Sequence, residues 1–316
     1  MSDKFINSAK LPSTLWCKES SELSLPKELI DIWKGLLNEN DLTRLAMTEA
    51  EEGFVGGVSK EETDKHFAWR YNGSCARVLL SLLDPKDELQ EVSDAYAKIF
   101  SGNKVFLADL PSGSGAALIS ILATLVELRR KSLIPRYPLE LVIVAGEISP
   151  SAIEYLEKQL ESIKPFLEEQ AITIEYFTRP WDVMDKISTS DLIREMTIKS
   201  LGCTSRLLVL SNFNGFLSTG SNWKKAKDQF DEIFRHSRDV NSAVIWIEPQ
   251  SKKAQSLVDK LVNWFKSVFK GDSSTKEECM DSDEQYAKSQ SLCKQPLKTG
   301  NFPVRLTVLR FDLPLD

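Results

Sequence analysis

Histidine is nearly absent from this chain of 316 residues, which holds only His66 and His236, so a metal centre built on imidazoles is excluded. Cys17, Cys75, Cys203, Cys279 and Cys293 are odd in number and scattered, with no C-x-x-C pair. Neither a disulfide framework nor a zinc site is indicated, and no metal is expected. No apolar run approaches a membrane span. The first residues, MSDKFINSAKLPSTLW, lack the apolar core of a signal peptide. The expectation is a cytoplasmic protein with no membrane partner. Basic charge is also in short supply: 40 Lys and Arg stand against 46 Asp and Glu, a net charge of −6. Strong general binding of nucleic acid needs clustered cations to neutralise phosphates and is not expected from the chain alone. The local groups Arg129-Arg130-Lys131 with Arg136, and Lys224, Lys225 and Lys227, read as charges complementing helix ends and solvated faces.

The most informative stretch that is present runs from Val105 to Leu118, VFLADLPSGSGAAL. Val105 to Ala108 reads as a short buried strand, and Asp109 stands at its carboxyl end, where open α/β sheets bind ligands. Pro111, Ser112, Gly113, Ser114 and Gly115 form a small-residue loop whose glycines, lacking Cβ, let backbone turn tightly and a ligand lie against it. Ala116 to Val126 is apolar nearly all round, as suits a helix packed beneath the sheet. A second strand, Leu141 to Glu147, follows. After Ile148, Ser149 and Pro150 supply a helix N-cap and N1, and Ile153, Leu156, Leu160 and Ile163 recur at helical spacing.

These two segments together resemble the class I S-adenosylmethionine-dependent methyltransferases. In that family the first strand ends in an acid before a G-x-G loop, and the second ends in an acid before a Ser-Pro-Ala type helix start. The resemblance runs from about Val105 to Pro249, with a last strand near the C-terminus. It implies that Asp109 meets the donor's ammonium, that Glu147 accepts the ribose hydroxyls, and that Asp182 accepts from the adenine amine while Trp181 lies against the ring. Ile148, Ser149 and the loop from Pro111 to Gly115 then complete the contact. Pro111 departs from the family pattern, which has glycine there. A nicotinamide-binding Rossmann domain fits less well: its fingerprint wants a glycine where Leu118 stands, its ribose acid comes sooner than Glu147, and an acid before the glycines would repel a pyrophosphate.

Ala171 to Asp182, Arg206 to Leu217 and Ala243 to Pro249 read as strands three to five, the second of these with its following loop. Helical stripes lie between them (Trp223, Ala226, Phe230, Ile233, Phe234) and after them (Ala254, Leu257, Val258, Leu261, Phe265). Strands alternating with amphipathic helices imply a doubly wound, mainly parallel α/β sheet covered on both faces, and the resemblance implies seven strands in a Rossmann-like methyltransferase fold. Pro303 to Leu313 alternates as a terminal strand at the sheet edge. Its hairpin partner is expected before Thr299-Gly300-Asn301. Residues 1–100 read as an N-terminal helical extension or lid and residues 101–316 as the donor-binding domain. Within the latter, polar, aperiodic residues 271–298 read as a mobile insertion.

Candidate chemistry is sparser. In the extension, His66, Trp69, Arg70, Tyr71 and Asn72 precede a helix that Ser74 could cap, and Arg70 or Arg77 could reach the donor's carboxylate. The plain alternative makes the aromatics core and the arginines surface. After the fourth strand come Asn212, Phe213 and Asn214, where amino-methylating nucleic-acid enzymes of the family carry Asn/Asp-Pro-Pro-aromatic; the prolines are missing here, and turn formation by Asn and Gly is the plainer explanation. Glu248, at the end of the fifth strand, and His66 are the remaining candidates for a general base. The reading is a methyltransferase using S-adenosyl-L-methionine on an unidentified acceptor: small molecule, RNA or protein. Its alternative is a methyltransferase-like binding subunit without turnover, and a protein partner could supply the basic surface this chain lacks.

Overall fold

The computed structural model describes residues 6–52, 54, 56–250, 260–261, 263–264 and 286–315. One nine-stranded sheet runs through them, ordered β1-β2-β8-β9-β7-β6-β3-β4-β5. The strands are β1 (Trp16–Cys17), β2 (Glu22–Leu23), β3 (Lys104–Asp109), β4 (Leu139–Glu147), β5 (Ile172–Pro180), β6 (Ser205–Ser211), β7 (Ser242–Pro249), β8 (Ala287–Lys294) and β9 (Asn301–Asp312). The five strands β3 to β7 pair only in parallel with one another, with Asp109 in register with Ala145 on one side and Val209 on the other. The chain winds outward from β3 through β4 to β5, then returns to β6 and winds the other way. The order therefore reverses between β3 and β6, the place where doubly wound sheets open a crevice at their strand ends.

Strand periodicity sorts the core into two layers. Val105, Leu107, Leu141, Ile143, Leu207, Val209 and Ile245 point to one face, and Phe106, Ala108, Val142, Val144, Leu208, Leu210 and Trp246 to the other. The second layer is closed by α8 (Lys186–Lys199), the short α9 (Asn214–Leu217) and α10 (Asn222–His236), through Leu192, Met196, Leu217, Phe230, Ile233 and Phe234. The first is closed by α6 (Ala116–Arg130) and α7 (Pro150–Glu168), with α1 (Lys27–Glu39), the short α2 (Thr43–Ala46), α3 (Lys60–Trp69), α4 (Tyr71–Leu83) and α5 (Gln90–Phe100) packed against the same core. Helix α6 has neighbours on all sides, and Ala117 to Arg129 are buried throughout. This explains its almost uniformly apolar sequence.

Several expectations are corrected. Helices predominate among the described residues before 101, yet β1 and β2 extend the sheet from seven strands to nine, β2 pairing in parallel with β8. Two-residue strands carry too little pattern to be read from sequence. Ser74 does not cap a helix: it lies inside α4, while the preceding α3 starts with a capping box in which Ser59 Oγ accepts from Glu62 N and the Glu62 side chain accepts from Ser59 N. The terminal strand β9 is not at the edge but inserts between β7 and β8, antiparallel to both. Residues 287–294 of the expected insertion are its ordered hairpin partner, β8. The inward positions of β8 are Ser289, Ser291 and Cys293 rather than large apolar residues, so no hydrophobic alternation marks it. Ser289 Oγ donates to Glu88 at 2.7 Å and Ser291 Oγ to Ser21 O at 3.0 Å, satisfying groups that burial would otherwise penalise. Residues 271–285, and Ala254, Leu257, Val258 and Phe265 of the expected last helix, lie outside the described residues; Leu261 is helical and buried.

Candidate functional site

The crevice at the carboxyl ends of β3, β4 and β6 gathers most of the residues singled out in the sequence. The loop after β3 leaves Asp109 through a cis Leu110-Pro111 peptide and turns at Gly113 (φ +51°) and Gly115 (φ +84°). The two glycines serve different ends. A Cβ on Gly115 would lie 2.5 Å from Leu156 Cδ1, so its absence lets α7 pack against the start of α6. At Gly113 nothing lies within 4 Å of that position, which leaves open space beside the backbone. Ser112 and Ser114 are buried in the loop, with Ser112 N bonded to Gly146 O.

Glu147 ties the two strand ends together. Its Oε2 accepts from Gly113 N at 2.9 Å and its Oε1 from Ser149 N at 2.8 Å, each oxygen keeping lone pairs for a further donor. Burial raises its pKa, opposed by these backbone bonds. Ser149 caps α7 by accepting from Ala152 N at 3.3 Å, with Pro150 at N1, as its sequence suggests. Between them Ile148 is 44 % exposed, an apolar side chain presented at the mouth of the crevice.

Asp109 is placed differently from the expectation that it meets a ligand directly. It is fully buried at the end of β3, and no side chain among the described residues hydrogen-bonds its carboxylate. Burial first, and then the charge of Glu147, push its pKa well above the usual carboxylate range, opposed by the backbone N–H of Leu118. Trp181 also faces inward: it packs edge-on to Phe230 and donates from Nε1 to Thr189 Oγ1 at 3.2 Å. Gly146 makes room for it, since a Cβ there would lie 3.2 Å from Trp181 Cβ. No ring face of Trp181 is free to lie against a ligand. Asp182, half-buried, accepts from Met184 N at 2.8 Å and so holds its own turn.

The loop after β6 is held from two sides. Asn212 adopts a left-handed conformation (φ 58°), and its Oδ1 accepts from Arg77 Nε at 2.7 Å. On the other side, Glu248 Oε1 accepts from Phe213 N (3.0 Å), Asn214 N (3.1 Å) and Trp246 Nε1 (2.8 Å). Glu248 is fully buried and its pKa is pushed up to about 7 by that burial, against the donors and the nearby Arg77 charge. Its Oε2 and the buried Asn214 Oδ1 have no partner among the described residues. Phe213 stacks on Phe216, with ring centroids 5.1 Å apart.

Across the crevice, α3 and α4 bring His66, Arg70 and Arg77. Burial and then the charges of Arg77 and Arg70 lower the His66 pKa to about 4, so its imidazole is neutral. The Arg70 side chain is exposed and forms no hydrogen bond or ion pair among the described residues. These helices are bolted to the sheet domain. Tyr71 hydroxyl bonds Gln159 Oε1, Gln159 Nε2 donates to Ser114 O at 2.6 Å, Thr63 bonds Ser149 at 2.9 Å, and Tyr155 hydroxyl donates to Asp64 at 2.8 Å. Sequence reading singled out Tyr71 but not its partner, and missed Thr63 and Gln159 as parts of the cradle; nothing in a residue's local spacing signals a partner 88 positions away. His236 sits at the exposed end of α10, 3.7 Å from Glu232, and belongs to no site.

No protein-family model matches the sequence, and no curated protein matches it. Similar solved structures include aviRa, an rRNA methyltransferase from Streptomyces viridochromogenes, at 12% identity over 74% of this chain and 84% of that one, with a TM-score of 0.33. The METTL16 MTase domain is 9% identical over 89% of this chain and 92% of that one, with a TM-score of 0.35. A protein solved in connection with conversion of a disulfide bond into a thioacetal group during echinomycin biosynthesis is 11% identical over 69% and 78%, with a TM-score of 0.34. Superpositions this loose transfer no residue roles, so the site rests on its own geometry.

Proposed function

We propose that the chain is a class I S-adenosylmethionine-dependent methyltransferase. The observation that carries this reading is Glu147 at the tip of the second parallel strand, buried yet with lone pairs free on both oxygens, beside an open glycine turn at the switch point of the sheet. The residues present fit the donor: Gly113 gives room for close backbone approach, Glu147 accepts ribose hydroxyls, and Ile148 offers an apolar surface to the adenine. Arg70, exposed and unpaired, and Arg77 supply cations for the donor's carboxylate. Asp109 acts from below, as a buried acid whose charged form an ammonium overhead would favour. Bound S-adenosylmethionine supplies a methyl group already activated on a sulfonium. The protein's task is therefore to place the acceptor in line, exclude water and keep the post-β6 loop fixed through Arg77 and Glu248. The buried and orphaned polar atoms of Asn214 and Glu248 stand at that loop as candidate partners for the acceptor.

The second reading, a binding subunit that keeps the fold without turnover, is favoured by the inward placement of Asp109 and Trp181. Calorimetry with S-adenosylmethionine, its demethylated product and NAD tests the first reading. The donor and product should bind and NAD should not, and Glu147→Ala should weaken the donor roughly ten- to a hundredfold, the loss of about 1.5–3 kcal/mol. A folded wild type giving no heat with the donor at millimolar concentration ends the assignment. Donor binding together with no labelled methyl transferred to small-molecule, RNA or protein pools favours the binding subunit.

A further inference from the structure

At the opposite edge of the sheet, where β4 and β5 begin, Arg129, Arg136, Leu133, Ile134, Pro135 and Gln170 line a cleft of about 590 Å³. Helix α6 ends here. Strand β4 spans nine residues between this edge and Glu147, so at about 3.3 Å per residue the cleft is about 30 Å from the proposed donor site. Arg129 is only 7% exposed. Its Nη1 donates to Gln170 O at 2.6 Å and to Ala171 O at 3.3 Å, clamping the end of α7. That clamp accounts for one of its nitrogens. Its Nε is buried with no partner, and Arg136, on the exposed loop across the cleft, has no ion-pair partner among the described residues. Arg130, which also lines the cleft, is paired with Glu28 and Glu127, at 2.5 and 3.3 Å. Burial, and after it the charge of Arg136, lower the Arg129 pKa, as expected of two guanidiniums on one cleft.

A buried guanidinium with an orphaned N–H and a like-charged neighbour is costly unless an anion joins it. We propose that this cleft binds a phosphate group. A tetrahedral oxyanion can accept from both guanidinium forks at once, and Leu133, Ile134 and Pro135 form an apolar wall for the body of a phosphate ester. A cleft of this size suits a ligand larger than the bare ion. The site is independent of the methyl-transfer reading, since it uses none of the same residues.

The test is isothermal calorimetry on the full chain with three probes, inorganic phosphate, uridine monophosphate and a short oligouridylate, each at ionic strength matched with chloride. Arg136→Gln changes an exposed side chain and should leave the circular dichroism unchanged. It should weaken phosphate-bearing probes roughly tenfold, whereas Lys225→Gln, on distant α10, should not. Binding of the monophosphate that Arg136→Gln weakens supports a free phosphate ester as the occupant. Binding of the oligouridylate alone, also weakened by that change, supports a nucleic-acid backbone phosphate. Equal affinities in wild type and Arg136→Gln, or no binding of any probe, overturn the proposal.

Discussion

Arg77 Nε donates to Asn212 Oδ1 at 2.7 Å, joining residues 135 positions apart. One lies on a helix of the first hundred residues; the other is a left-handed turn residue at the carboxyl end of a central strand. The bond fixes the loop on which the proposed acceptor chemistry depends, and it does so from outside the sheet. A guanidinium donor makes this a charge-assisted bond, and its enclosed setting lowers the Arg77 pKa to about 10.

Arg77→Ala should therefore cost about 1.5–3 kcal/mol in chemical denaturation, through the lost bond and the Asn212 oxygen left behind. Arg77→Lys should recover only part of it, since lysine lacks the planar fork. Unchanged denaturation midpoints for both variants would show that the loop is held without this contact.

Glu248 imposes a pH dependence whose sign is opposite to that of an ion-paired carboxylate. Its pKa is raised in the folded protein from the ordinary 4.5 to about 7, so between these values the native state holds a proton that the unfolded state has released. Its stabilising contribution is complete below about pH 4.5 and is lost as pH rises through 7. A separation of this size corresponds to about 3 kcal/mol. Glu248→Gln, which keeps an oxygen for the Phe213, Asn214 and Trp246 N–H groups, should flatten that part of the stability profile. The indole N–H resonance of Trp246 should also move with pH in wild type and stand still in the variant. A resonance that does not titrate in wild type would place the Glu248 proton elsewhere.

His66 works in the other direction. Its pKa falls from the ordinary 6.5 to about 4 in the folded protein, so the unfolded chain takes up a proton first and stability declines as pH drops through that window. Its imidazole carbon-bound proton signals should keep their neutral positions well below pH 6.5. Titration near the ordinary value would mean that the ring is open to water, and His66→Gln would then leave the acid limb of the stability curve unchanged.

The main architecture is legible in the sequence because it is written in local period. Strands β3, β4, β6 and β7 have unbroken apolar centres buried on both faces, Val105–Ala108, Leu141–Ala145, Leu207–Leu210 and Ala243–Ile247; α7 carries its Ser149-Pro150 start, and the acids Asp109 and Glu147 stand at strand ends that those runs locate. What depended on tertiary structure is everything set by partners distant in the chain. β8 has no hydrophobic alternation because its inward serines are satisfied by Glu88 and the Ser21 carbonyl, contacts that exist only after the hairpin docks. Trp181 stands next to a strand-end acid, as a ligand-stacking ring would, but the space left by Gly146 and the edge of Phe230 turn it into the core. Asp109 could be placed at its strand end by sequence, yet its complete burial and the nearness of Glu147, and hence its raised pKa, follow from how the folded chain packs around it. Residue order along the chain determines periodicity and caps; burial and pairing of charges depend on which distant segments meet, and only the folded packing decides that.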